Sequence, residues 1–120
     1  MSLDVYLVRK RYLSFDEGKT YTEEYEKVYC DNITHNLCDM ADEAGIYEAL
    51  WRPEEIGKTN AGDIVELLEN GLADLKARPE HFEKSNSPNG WWMYKNFVPF
   101  VEKYLEACKQ YPNSFIRVSR

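Results

Sequence analysis

Five consecutive residues, Asn32-Ile33-Thr34-His35-Asn36, place four hydrogen-bonding side chains where a strand-like N-terminal third gives way to a helical pattern. A helix start leaves backbone N–H groups without intrahelical partners and carries partial positive charge. Polar side chains beside such donors suit a small anionic or polar ligand. They also suit a plain helix cap. His35 adds acid–base capacity near neutral pH. Cys38 at i+3 and Asp39 at i+4 are its partners within one turn. A Cys–His pair is one form of nucleophile. No oxyanion device accompanies this one, and Cys38 also stands where a small half-buried residue belongs.

Two further clusters mix aromatic and polar chemistry. In Trp51-Arg52-Pro53-Glu54-Glu55 a guanidinium adjoins an indole. Arginine holds anions by paired hydrogen bonds and stacks on flat rings. Arg52 equally has Glu48, Glu54 and Glu55 to pair with, while Trp51 fills the core. In Asn89-Gly90-Trp91-Trp92-Met93-Tyr94 an Asn-Gly turn precedes adjacent tryptophans. Such a turn exposes backbone donors, and Trp91 or Trp92 would serve as a stacking platform. Two consecutive tryptophans do not readily both face inward, so one is expected at the surface. The candidate ligand-binding set is therefore Asn32, Thr34, His35, Asn36, Trp51, Arg52, Asn89, Trp91 and Trp92.

Other chemistries find little support. His35 and His81 are the only histidines, and no Cys or His spacing matches a zinc pattern, so no metal and no cofactor are expected. Glycine-rich phosphate loops, serine elbows and kinase signatures are absent.

The elements that must position these residues follow from periodicity. Leu3, Val5 and Leu7 alternate with Asp4, Tyr6 and Val8, the pattern of a strand with one buried face. A turn centres on Gly18. A second strand runs from Thr20 to Cys30, with Tyr21, Tyr25 and Tyr29 expected on one face. The pair reads as a β-hairpin with a long polar tip. A first helix is expected from Asn32 to Gly45, with Ile33, Leu37, Met40, Ala41 and Ala44 as its apolar stripe. Asn32, His35, Asn36 and Asp39 form a polar stripe beside it. A short helical piece around Ile46–Arg52 stops before Pro53. A second long helix spans about Ala61 to Arg78, capped by Asn60. Gly71 within it costs roughly 1 kcal/mol against Ala and allows a close crossing. In the last helix Phe97, Val98, Val101, Tyr104, Leu105 and Cys108 face the core. Pro99 is expected in its first turn, with Asn96 as cap. Phe115 to Val118 is strand-like and suits a third strand on the hairpin. The order implies an α+β fold: a small antiparallel sheet with about three helices on one face. One domain covers 1–120, divided into a hairpin (1–31), a helical part (32–111) and a strand (113–119).

Bulk composition bounds the function. The chain has 120 residues, enough for one modest core. A net charge of -6 argues against general nucleic-acid binding, which needs basic surface to displace counterions. Apolar runs fall short of the about 18 residues that mark a membrane span, and Met1–Leu7 lacks a basic leader. Three cysteines, an odd number, fit free thiols in a reducing compartment, so a cytoplasmic location is expected.

The stretches NITHNL (32–37), AGIYEALWRPEE (44–55), GLADLKARPEHF (71–82), NGWWMY (89–94) and FVPFVEKYLEAC (97–108), with the MSLDVYL start, resemble a family of small phage and prophage proteins. The hairpin from Val8 to Cys30 is the least family-like part. The resemblance brings no catalytic motif. It implies a host-cell cytoplasmic setting, in which small phage proteins counter host defence by sequestering a nucleotide signal or covering a host protein.

The leading expectation is thus a non-enzymatic accessory protein that binds a small polar or anionic ligand, such as a nucleotide-derived defence signal. A homo-oligomer is expected, because so small a domain has little room for a deep pocket. An acidic protein–protein interaction module, using the Tyr-rich hairpin and nucleic-acid mimicry against a host protein, is the alternative. A small hydrolase or lyase built on His35 is the third.

Overall fold

The computed structural model describes residues 2–83 and 94–120. Strand β1 (Ser2–Leu13) is central, flanked by β2 (Thr22–Thr34) and β3 (Phe115–Ser119), all antiparallel, in the order β2-β1-β3. The α+β expectation holds, with the C-terminal strand completing the sheet. Leu3, Val5 and Leu7 of β1 and Ile33 of β2 are buried against the helices. Successive side chains alternate faces, so Asp4, Tyr6, Val8, Lys10 and Tyr12 point to the other side of the sheet.

Five α-helices lie among the described residues: α1 (Cys38–Glu43), α2 (Tyr47–Trp51), α3 (Val65–Ala77), α4 (Pro79–Glu83) and α5 (Tyr94–Gln110). Short 3-10 turns at His35–Leu37, Pro53–Ile56 and Ala61–Ile64 join them. The expected stripes are present in α3, through Leu68 and Leu75, and in α5, through Phe97, Val101, Tyr104, Leu105 and Cys108. Gly71 is a crossing point: a Cβ there would run into the Ile46 side chain and close on the Ala44 carbonyl. At Asn60 the backbone N–H donates to the Asp63 carboxylate (3.1 Å), and the Asn60 side-chain amide donates to the Asn113 carbonyl (3.2 Å).

Four expectations need correction. Asn32 and Thr34 do not start a helix. They continue β2, opposite Asp4 and Ser2. Ladder bonds to β1 use the backbone groups that a helix start would leave open, and these non-local pairs override the capping preference of Asn. The hairpin therefore runs to residue 34. Tyr21, Tyr25 and Tyr29 do not share a face. A β-bulge lies where Leu7 pairs with Tyr29 but Val8 pairs with Lys27, leaving Val28 as the extra residue. Tyr29 consequently faces the helices and stacks on Tyr104 (5.9 Å, 17°), while Tyr25 lies on the open face. Pro99 lies beyond the first turn of α5. Its missing N–H leaves the Lys95 carbonyl without the usual helical donor.

The molecule extends 59 × 27 × 23 Å. Its length comes from the hairpin. β3 pairs with β1 only from Asp4 to Val8. Beyond Val8 the two strands continue alone, and at about 3.4 Å per residue the stretch to Leu13 adds about 17 Å. Cross-strand ion pairs brace this arm: Arg9–Glu26 (2.9 Å), Arg11–Glu24 (3.2 Å) and Lys10–Glu23 (3.5 Å). The tip is organised by Asp16, whose carboxylate accepts from Ser14 Oγ (2.9 Å), Thr20 N–H (2.9 Å) and Thr20 Oγ1 (2.6 Å). Glu17 and Gly18 both take positive φ (62° and 88°) to close the turn.

Candidate functional site

The end of β2 meets the end of α2 through His35 and Trp51. Trp51 Nε1 donates to His35 Nδ1 across 3.3 Å, with the rings edge-on at 6.1 Å. With Nδ1 accepting, the neutral imidazole carries its proton on Nε2. His35 Nε2 is buried and has no hydrogen-bond partner. Trp51 itself is 1% exposed. Tyr47 stacks on its indole (5.6 Å, 18°), and the Tyr47 hydroxyl accepts from Arg52 Nε at 3.3 Å. Arg52 also pairs with Glu55 (3.3 Å). The Tyr47 hydroxyl, and then Glu55, stabilise the guanidinium and raise its pKa.

Arg120 reaches the same place from the C-terminal end of the sheet. Its Nη1 donates to the Trp51 carbonyl (2.8 Å) and to Glu54 Oε1 (2.7 Å), which holds the Glu54 carboxyl below its ordinary range. A shallow hollow of about 300 Å³ opens beside it, lined by Pro53, Glu54, Lys58, Thr59, Arg117 and Arg120, among others. Neither Tyr47 nor Arg120 was among the residues that sequence pointed to. Tyr47 stands one helical turn before Trp51, a signal that was present. Arg120 lies 69 residues from Trp51, and no local pattern announces that contact.

His35, Trp51 and Arg52 are therefore brought together, the last through Tyr47. Thr34 is partly buried next to His35 at the end of β2. Asn32 is on the other side of the sheet, exposed, opposite Asp4. The Asn36 side chain and Asn89, Trp91 and Trp92 lie outside the described residues. Burial raises the Cys38 pKa, and Asp39 adds to it. That shift disfavours the thiolate, the opposite of an activated nucleophile. Burial also pushes the Cys108 thiol up to about 12. No cluster of three metal-capable side chains occurs among the described residues.

A second surface lies on the arm. Among the described residues, five large hydrophobics are exposed, and four belong to the arm and its tip: Tyr12, Phe15 (86% exposed), Tyr21 and Tyr25. Tyr12 and Tyr25 share the open face of the sheet with Tyr6 and Phe115. Tyr25 meets Phe115 edge-on at 6.5 Å. Cations lie over the rings nearest the body, with Lys27 Nζ 4.4 Å from the Tyr6 centroid and Arg117 5.7 Å from that of Phe115. The acids of β2 are not a free negative stripe, since Glu23, Glu24 and Glu26 face Lys10, Arg11 and Arg9.

No family model, no characterised protein and no solved structure matches this chain.

Proposed function

We infer that this protein is a non-enzymatic binding module that engages a protein partner through the open face and tip of its hairpin arm. The concentration of exposed aromatic side chains on that arm carries the reading. Contiguous exposed apolar surface marks interaction sites. Tyrosine and phenylalanine make strong anchors when a partner desolvates them. Ion pairing within the arm leaves it little net charge to steer with. Aromatic burial, rather than acidic mimicry of nucleic acid, then selects the partner.

The phage-like stretches make a host protein the partner to look for. Capture from host lysate by the wild-type chain and by Phe15→Ser/Tyr21→Ser tests the reading. Retention of a stoichiometric protein by the wild type alone supports it. Equal retention by both, or none by either, removes it.

The buried, unpartnered Nε2 of His35 favours a second reading. A small anionic ligand, such as a nucleotide-derived signal, would have to displace the groups that cover that nitrogen in order to accept from it, and would then meet Arg52 or Arg120. Calorimetry with cyclic and ADP-ribose-type nucleotides tests it. Heat with the wild type that His35→Ala abolishes is the supporting result, and no heat with any of them ends it.

A further inference from the structure

Among the described residues β2 has one strand neighbour, β1, so no described strand pairs with its outer edge between Thr22 and Lys27. An unpaired edge of this kind is a template for another strand. Between Thr22 and Lys27 the arm also lacks the third strand that supports the body of the sheet. A two-stranded ribbon is marginally stable in water on its own.

The sequence along this edge is self-complementary about Tyr25. Glu23, Tyr25 and Lys27 point to the open face, because they stand opposite Tyr12, Lys10 and Val8. An antiparallel copy of β2 related by a two-fold axis at Tyr25 sets Glu23 against the second copy's Lys27, Lys27 against its Glu23, and Tyr25 against Tyr25. Opposite-charge and aromatic pairs are favourable directly across strands, and here the cross-copy ion pairs add to contacts that Glu23 makes with its own Lys10 (3.5 Å) and Lys27 with its own Tyr6 ring. On the other face the axis sets Glu24 against Glu26, but each is already met by an arginine of its own chain, at 3.2 and 2.9 Å. Moving the axis one residue, to Glu24 or Glu26, pairs Glu23 or Lys27 with Tyr25 and forfeits both ion pairs.

We propose that two copies of this chain pair edge to edge along β2, with the axis at Tyr25, forming a continuous six-stranded sheet. The order becomes β3-β1-β2-β2-β1-β3. The inference is independent of the partner-binding reading, which uses the face of the arm rather than its edge. Pairing sets two aromatic arms side by side on one surface.

Sedimentation of the full chain at about 100 μM, where a micromolar Kd leaves little monomer, gives the first result. A dimer is expected, and Lys27→Glu or Glu23→Lys should weaken it at least about tenfold, the scale of a lost charge pair made twice. The double reversal Glu23→Lys/Lys27→Glu restores the complementarity and should recover most of the affinity. Register is read separately. Directly opposed antiparallel residues stand about 4.5–5.5 Å apart at Cα, within disulfide reach. Tyr25→Cys in a Cys30→Ser background should therefore cross-link into a dimer under mild oxidation, and Tyr12→Cys in that background should not. A monomer at this concentration overturns the proposal, as does a dimer in which Tyr25→Cys fails to cross-link and the charge reversals change nothing.

Discussion

The indole N–H of Trp51 donates to Nδ1 of His35, and this 3.3 Å bond ties the last turn of α2 to the end of β2. It fixes the tautomer of His35 and leaves Nε2 buried without an acceptor. Trp51→Phe keeps most of the apolar burial and removes the donor. The loss should be about 1–3 kcal/mol, the usual cost of leaving a buried polar atom unmatched. Urea unfolding checks this: the midpoint falls while the slope stays the same.

Gly71 shows where backbone contact outweighs helix propensity. Alanine at an ordinary helix position gains about 1 kcal/mol over glycine. At Gly71 its Cβ would collide with Ile46. Gly71→Ala should therefore destabilise by about 1–3 kcal/mol, as overpacking does. Pairing it with Ile46→Ala should give a double mutant more stable than the sum of the two single losses.

Tyr104 makes the opposite case. Its ring is fully buried in the core, yet its hydroxyl has no partner. Burial, with Cys108 and Tyr29 nearby, raises its pKa well above the ordinary value. Tyr104→Phe removes an unsatisfied group and keeps the stack with Tyr29. Thermal unfolding should show unchanged or higher stability, by up to about 1 kcal/mol. A clear loss would mean that the hydroxyl has a partner after all.

Much of this fold is legible in the chain because it is local. The two-residue alternation of Leu3, Val5 and Leu7 and the helical stripes of α3 and α5 need no knowledge of distant contacts. The rest depends on register. Asn32 is a good cap residue in isolation, and only its pairing with Asp4 makes it part of a strand. Val28 looks like any strand residue, yet as the bulge it turns Tyr29 inward and separates it from Tyr25. At the candidate site, Trp51 and Arg52 stand together in sequence. Their partners His35 and Arg120 follow β2 and β3, the strands on either edge of β1, at the one end of the sheet where β1 begins, and Tyr47 joins through a stack on one helix turn.

Acid should weaken the fold in a defined window. Thr20 holds Asp16, Arg120 holds Glu54 and Arg78 holds Asp74 below their ordinary carboxyl ranges. A carboxyl with a depressed folded-state pKa contributes stability above its unfolded value, about 4, and loses it as pH falls through the folded value. Arg120→Met removes the partner of Glu54. Its Tm should lie furthest below wild type above about pH 4.5 and approach it toward pH 2, where Glu54 is protonated in both. The gap should not close fully, because the bond from Arg120 to the Trp51 carbonyl does not titrate. Tm measured across that range reads the difference directly.

The exposed rings of Phe15 and Tyr21 at the tip of the arm decide the account of function. The sharpest measurement is the Kd of the captured partner for the wild type and for Phe15→Ser/Tyr21→Ser, each at low and high salt. Aromatic anchors predict a loss of about tenfold or more in the variant, at an unchanged Tm, with only a few-fold effect of salt on the wild type. An unchanged Kd in the variant, with wild-type binding that collapses in salt, would contradict it and move recognition to surface charge.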